Sequence, residues 1–215
     1  MDTLRKTGVC FLFILLPWGL GAQNYECLKP GLTVYFTDGT IQNPLRADSV
    51  TQENGYQVWW NFPVIRPSNE YYCHVETGGM WMGRKTRIYP DGRYVFYNRD
   101  ALPIEIHSQA GLNDTWKCCD LETGRVDATV TGIAPETFLG LSDMVKTITL
   151  QAKDAQGNNQ AHDLNGKQFK ISQNYGFTQV IGVYLFPDLT CEIPDEIKEY
   201  SLSGLSEPQD RKSVV

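Results

Sequence analysis

Apolar and polar residues alternate with a period of two through much of this chain. Within residues 145–154, Ile148, Leu150 and Ala152 fall on one side and Thr147, Thr149 and Gln151 on the other, the pattern of a strand with one wet face. A turn-like Gln156-Gly157-Asn158-Asn159 follows, and residues 169–176 and 180–187 resume the apolar pattern. The last run is apolar on both faces, rich in β-branched and aromatic residues, and ends at Pro187, as a buried strand does.

Nearer the start, residues 33–36, 55–62 and 71–75 read as strands. Pro90-Asp91-Gly92 lies between strand patterns at 81–89 and 93–97 and predicts a hairpin, because proline presets φ and glycine takes the left-handed position. Residues 116–119 and 125–131 flank Glu122-Thr123-Gly124 and predict a second. Residues 137–143 read as a short connection or one helical turn, and 200–206 as a further strand start. About ten short strands, with glycine or proline between them, predict an all-β fold. The expected form is an antiparallel meander making a barrel, an open half-barrel or a sandwich, with little helix.

The beginning of the chain departs from this pattern. Arg5 and Lys6 precede an unbroken apolar run at residues 9–16, and Gly19, Gly21 and Ala22 follow. That order describes a secretory signal peptide over residues 1–22, and the run is too short to span a bilayer. Cleavage after Ala22 leaves 193 of the 215 residues. Residues 23–187 are expected to form the β-rich domain, with 23–75 as a candidate separate N-terminal part. Residues 188–215 turn polar and acidic and read as the start of a further segment, cut from a longer chain. The expected location is secreted, extracellular or on an outer-membrane surface, with no integral membrane span after cleavage.

Charge and cysteines narrow the partners. The net charge is −6, and an acidic chain without a basic stripe argues against nucleic acid. Outside the leader the cysteines are Cys27, Cys73, Cys118, Cys119 and Cys191. Disulfides suit an exported chain, but an odd count leaves one thiol over. Cys118 and Cys119, adjacent in a strand, are expected to face opposite ways.

No catalytic signature stands out. His74, His107 and His162 are isolated from one another, and there is no His-Glu-x-x-His, Cys-x-x-Cys or Asp-rich calcium loop. No metal or cofactor is expected. A Gly-x-Ser-x-Gly elbow is missing, and no spacing rule pairs any two of the carboxylates for glycoside hydrolysis. The distinctive feature is a crowd of aromatic residues between positions 56 and 116. Rings of this kind mostly fill a β-domain core; those left exposed can stack on sugars or line an apolar pocket. Trp59, Trp60, Trp81, Tyr94 and Trp116 are the candidate ligand-binding residues, for a glycan or a small apolar ligand.

Glu136-Thr-Phe-Leu-Gly-Leu-Ser-Asp143, Val145-Lys-Thr-Ile-Thr-Leu150, Ile171-Ser-Gln-Asn-Tyr-Gly-Phe177 and Tyr184-Leu-Phe-Pro187 together resemble secreted, β-rich proteins of Bacteroidetes. The hairpin from Trp81-Met-Gly-Arg-Lys to Asp91-Gly-Arg-Tyr-Val-Phe-Tyr-Asn98, and Asp114-Thr-Trp116, are similar to the same family. The resemblance covers residues 80–207. Such chains are long and often end in a type IX secretion sorting domain. It implies export and cell-surface display, and it carries no catalytic residues. The expected role is a secreted or cell-surface β-domain that binds or scaffolds rather than catalyses. The alternative is a carbohydrate-active enzyme or glycan-binding module that uses the aromatic cluster.

Overall fold

The computed structural model describes residues 24–29, 32–39, 42–45, 47–61, 81–98, 100–184, 186–187 and 199–206. The leader at 1–22, the predicted strand at 71–75, His74, Cys73 and Cys191 lie outside them. Among the described residues there are thirteen strands and no helix, so the all-β expectation holds. The strands are β1 (Thr33–Thr37), β2 (Gln42–Leu45), β3 (Ala47–Glu53), β4 (Tyr56–Asn61), β5 (Lys85–Ile88), β6 (Arg93–Tyr97), β7 (Pro103–His107), β8 (Thr115–Leu121), β9 (Gly124–Phe138), β10 (Leu141–Asp154), β11 (Gln168–Ser172), β12 (Gly176–Ile181) and β13 (Glu199–Ser206).

They form two antiparallel sheets, one of eight strands in the order β2-β1-β13-β12-β11-β10-β9-β8, and one of five in the order β3-β4-β5-β6-β7. Most neighbours are consecutive in the chain, as in a meander, and the sheets do not close into a barrel. Of the strands before position 62, β1 and β2 belong to the larger sheet and β3 and β4 to the smaller. The run at 200–206, read from sequence as the start of a further segment, is β13, which lies between β1 and β12.

Alternation along β10 places Ile148, Leu150 and Ala152 in the buried layer, with Thr147, Thr149 and Gln151 partly exposed. The two sheets meet through ring contacts: Phe96 of β6 is 5.9 Å from Phe177 of β12, and Trp81 packs at 4.7 Å on Tyr200 of β13. Each large side chain buried in this layer contributes roughly 1.5–3 kcal/mol.

Two local differences from the sequence reading have simple causes. Residues 137–143 contain no helical turn: β9 runs directly into β10 through Leu139 (φ 51°) and Gly140 (φ 76°). Two successive positive φ values make the tight hairpin turn whose twist matches its strands. Cys118 and Cys119 do not face opposite ways. The ladder between β8 and β9 slips between Lys117 and Cys119, a bulge that puts two residues opposite one. Both thiols are therefore buried, and the hydrogen bond between them is the first of the causes that push the Cys118 thiol up. Cys27, Cys118 and Cys119 are free, so among the described residues the expected disulfides do not form.

Side chains of β8 fasten the seam between the sheets in place of a ladder. The Trp116 indole N–H donates to the Glu105 carbonyl of β7 at 2.9 Å, and the Trp116 ring stacks on His107 at 4.8 Å. The lead-in residues 24–29 are packed into one end of the sandwich. The Phe177 N–H donates to the Cys27 carbonyl at 3.1 Å, and Gln109 Nε2 donates to the Tyr25 carbonyl at 2.7 Å.

Candidate functional site

The five-stranded sheet has one face in the core and one turned away from it. Ladder pairs set Trp59 against Thr86, Thr86 against Phe96, and Phe96 against Ile104, and these residues are buried toward the larger sheet. The neighbouring pairs set Trp60 against Lys85 and Lys85 against Tyr97, on the opposite face, because consecutive side chains in a strand alternate.

That outward face carries a continuous chain of contacting side chains from β4 to β8. The Lys85 ammonium sits between two rings, 5.1 Å from Trp60 and 5.3 Å from Tyr97. The Arg87 guanidinium is 5.2 Å from the Tyr97 ring and 5.1 Å from Tyr56, and its Nη1 donates to the Tyr97 hydroxyl at 2.7 Å. Tyr56 lies 5.0 Å from Tyr89, and Arg93 sits 4.0 Å over Tyr89. Arg93 then pairs with Glu105 at 3.9 Å, Glu105 meets His107 Nε2 at 3.4 Å, and His107 stacks on Trp116. Strand spacing makes this ribbon about 20 Å across. Cation–ring contacts at exposed sites contribute about 0.5–1 kcal/mol each. Val58 and Val95, in register with Arg87 on the same face, are buried, so part of the ribbon's work is structural.

The sequence candidates divide between the two faces. Trp59 and Tyr94 point inward and are buried at 6% and 4% exposure, as is Trp81 at 4%, while Trp60 is 39% exposed. The Trp81 indole N–H is spent on the Pro44 carbonyl at 3.2 Å. Trp60 and Trp116 stand at opposite ends of the ribbon, and Trp116 is half-buried. The ribbon members outside the sequence candidates are Tyr56, Lys85, Arg87, Tyr89, Arg93, Tyr97, Glu105 and His107. Their signal was parity. Tyr56-x-Val58-x-Trp60, Lys85-x-Arg87 and Arg93-x-Val95-x-Tyr97 each place outward residues two apart.

At its β7–β8 end the ribbon borders an open groove of ≈ 440 Å³ lined by Asp91, Arg93, His107, Gln109, Asp114 and Trp116. Its two aspartates are already engaged. Asp91 Oδ1 accepts the Arg93 N–H at 3.0 Å, and Asp114 Oδ2 accepts the Gly111 N–H at 2.7 Å. Among the described residues no three His, Cys, Asp or Glu side chains gather as metal ligands, and no helix is long and apolar enough to cross a membrane.

Lys146 is the other conspicuous ionisable group, only 2% exposed. Burial pulls its pKa down to about 8, in the range of a reactive amine. Its geometry is that of a clasp, however. Nζ donates to the Ser108 and Ala110 carbonyls at 2.6 Å each and sits 4.3 Å over the Tyr25 ring. The unfolded chain takes up this proton more readily than the folded one, so Lys146 lets stability rise with pH between about 8 and 10.5. Urea unfolding of the protein and of Lys146→Met across that window is expected to show a rising difference in favour of the parent, by up to about 1.4 kcal/mol for each step of one in pH. Parallel curves would refute the assignment.

No protein-family model, no curated protein and no solved structure matches this chain.

Proposed function

We propose that this protein is a secreted or cell-surface β-domain that binds a saccharide on the outward face of its five-stranded sheet and carries out no chemistry of its own. The observation that carries this reading is the ribbon itself: rings and cations held in fixed register across neighbouring strands, with Trp60 presented to solvent at one end. Sugars offer flat C–H faces to aromatic rings and polar edges to hydrogen-bonding groups, and a rigid sheet orders both kinds of partner before the ligand arrives. The basic start and short apolar run of the leader support export. The acidic whole-chain charge weighs against nucleic acid.

The alternative, a carbohydrate-active enzyme, draws on the groove beside His107, which contains two carboxylates. Both already accept backbone N–H groups in their own turns, an arrangement that suits turn formation better than proton transfer. A glycan array read with the protein and its Trp60→Ala variant tests the proposal. Binding without release of reducing sugar is expected, with an affinity loss of about tenfold in the variant and a melting temperature within a few degrees of the parent's. Turnover, or binding indifferent to Trp60, would overturn it.

A further inference from the structure

The charge on the ribbon points to the kind of saccharide. Among the described residues six lysines and arginines, Lys29, Arg93, Lys117, Arg125, Lys167 and Lys170, meet a carboxylate at 4.0 Å or less. Arg84, Lys85 and Arg87, within four residues of one another at β5, meet none among the described residues. In a chain of net charge −6, this is a local excess of positive charge, and at Lys85 and Arg87 it is flanked by rings rather than by acids. The two side chains project from the same face of one strand, about 7 Å apart. Each sits between two rings, so an anionic group reaching either cation brings the body of its sugar over an aromatic surface.

We propose that the ligand of this face is an acidic polysaccharide, with carboxylate or sulfate groups paired by Lys85 and Arg87 and pyranose faces resting on Trp60, Tyr97 and Tyr56. This rests on the saccharide-binding role proposed above and adds the ligand's charge. Guanidinium suits a planar carboxylate through paired N–H donors, and ammonium suits either anion as a point charge. A single-stranded nucleic acid also combines stacking with negative charge. It fits less well, because Lys85 and Arg87 make a short patch on one strand rather than the long basic groove that tracks a nucleic-acid backbone.

The test is titration of the full chain with four probes: polygalacturonate, dextran sulfate, neutral dextran and an oligothymidylate. Each is measured at about 0.05 M and 0.5 M salt, where screening lengths fall from well over to well under 10 Å. Binding to polygalacturonate or dextran sulfate is expected, weakening about tenfold at the higher salt; which polymer binds identifies carboxylate or sulfate as the source of charge. Lys85→Gln and Arg87→Gln are each expected to weaken it about fivefold at low salt. If Arg87→Gln lowers the melting temperature, Lys85→Gln carries the test alone, since it leaves the rings and Arg87 in place. Salt-insensitive binding to neutral dextran that depends on Trp60 would overturn this inference and leave the saccharide-binding reading standing. Failure to bind any saccharide would overturn both. Preference for the oligothymidylate, or acidic-glycan binding indifferent to Lys85, would overturn the inference.

Discussion

Replacing Gly83 by alanine is expected to cost more than about 4 kcal/mol of stability, lowering the melting temperature by on the order of 10 °C. Gly83 has φ +88°, and a β-carbon built there lies 2.2 Å from the Tyr97 carbonyl oxygen and 3.1 Å from its carbonyl carbon. Both obstacles are backbone, and the next residue depends on the same approach, since the Arg84 N–H donates to that carbonyl at 2.8 Å. Relief requires β5 and β6 to move apart, which would also disturb Lys85, Arg87 and Tyr97. Gly39→Ala separates the two contributions. Gly39 has φ +94° with nothing within 4 Å of an added methyl group, so its substitution is expected to cost only the torsional part, about 1 kcal/mol. Thermal and urea unfolding of both variants measure the difference. Equal losses would remove the close contact as the cause.

Asp143→Ala is expected to cost about 3–4 kcal/mol at neutral pH, and the loss should shrink in acid. The buried Asp143 carboxylate accepts from the Ser172 hydroxyl, from the Asn174 N–H at 2.8 Å and Asn174 Nδ2 at 2.9 Å, and from the Met144 N–H at 2.9 Å. It ties β10 to the turn between β11 and β12, so its removal strands several donors at once. Burial by itself would raise its pKa, but these hydrogen bonds outweigh that and hold it below the ordinary 3.8. A depressed carboxylate stabilises the fold above its unfolded value, and that contribution disappears as the pH falls through the folded one. Urea unfolding at pH 7 and near pH 3 should therefore show the gap between the protein and Asp143→Ala narrowing. An unchanged gap would mean that the ionised carboxylate is not what the turn depends on.

The fold class was legible in the chain because period-two alternation and turn chemistry are local. Residues 145–154 alternate in sequence and alternate in burial, and Pro90-Asp91-Gly92 does close the hairpin of β5 and β6. The local reading failed where geometry departs from regular alternation. The bulge at Cys118 turns two adjacent thiols to one side, and the Leu139-Gly140 turn carries a positive φ on a leucine, which its composition does not announce. The candidate site was half legible: Trp60 and Trp116 were among the residues selected, alongside three aromatic side chains that turned out to be buried.

By itself the sequence determined that this protein would be built of strands, where most of them would turn, and which residues along a strand share a face. Those properties depend on neighbours a few positions away. The tertiary structure alone decided which face looks outward, that β13 returns to lie beside β1, and that Lys146 and Asp143 are buried. It also brought Tyr56 against Tyr89, and Lys85 between Trp60 and Tyr97. The physical reason is that a ribbon of this kind exists only across strands. Its contacts depend on the register between segments distant in the chain, and register is set by the packing of two sheets on one shared core.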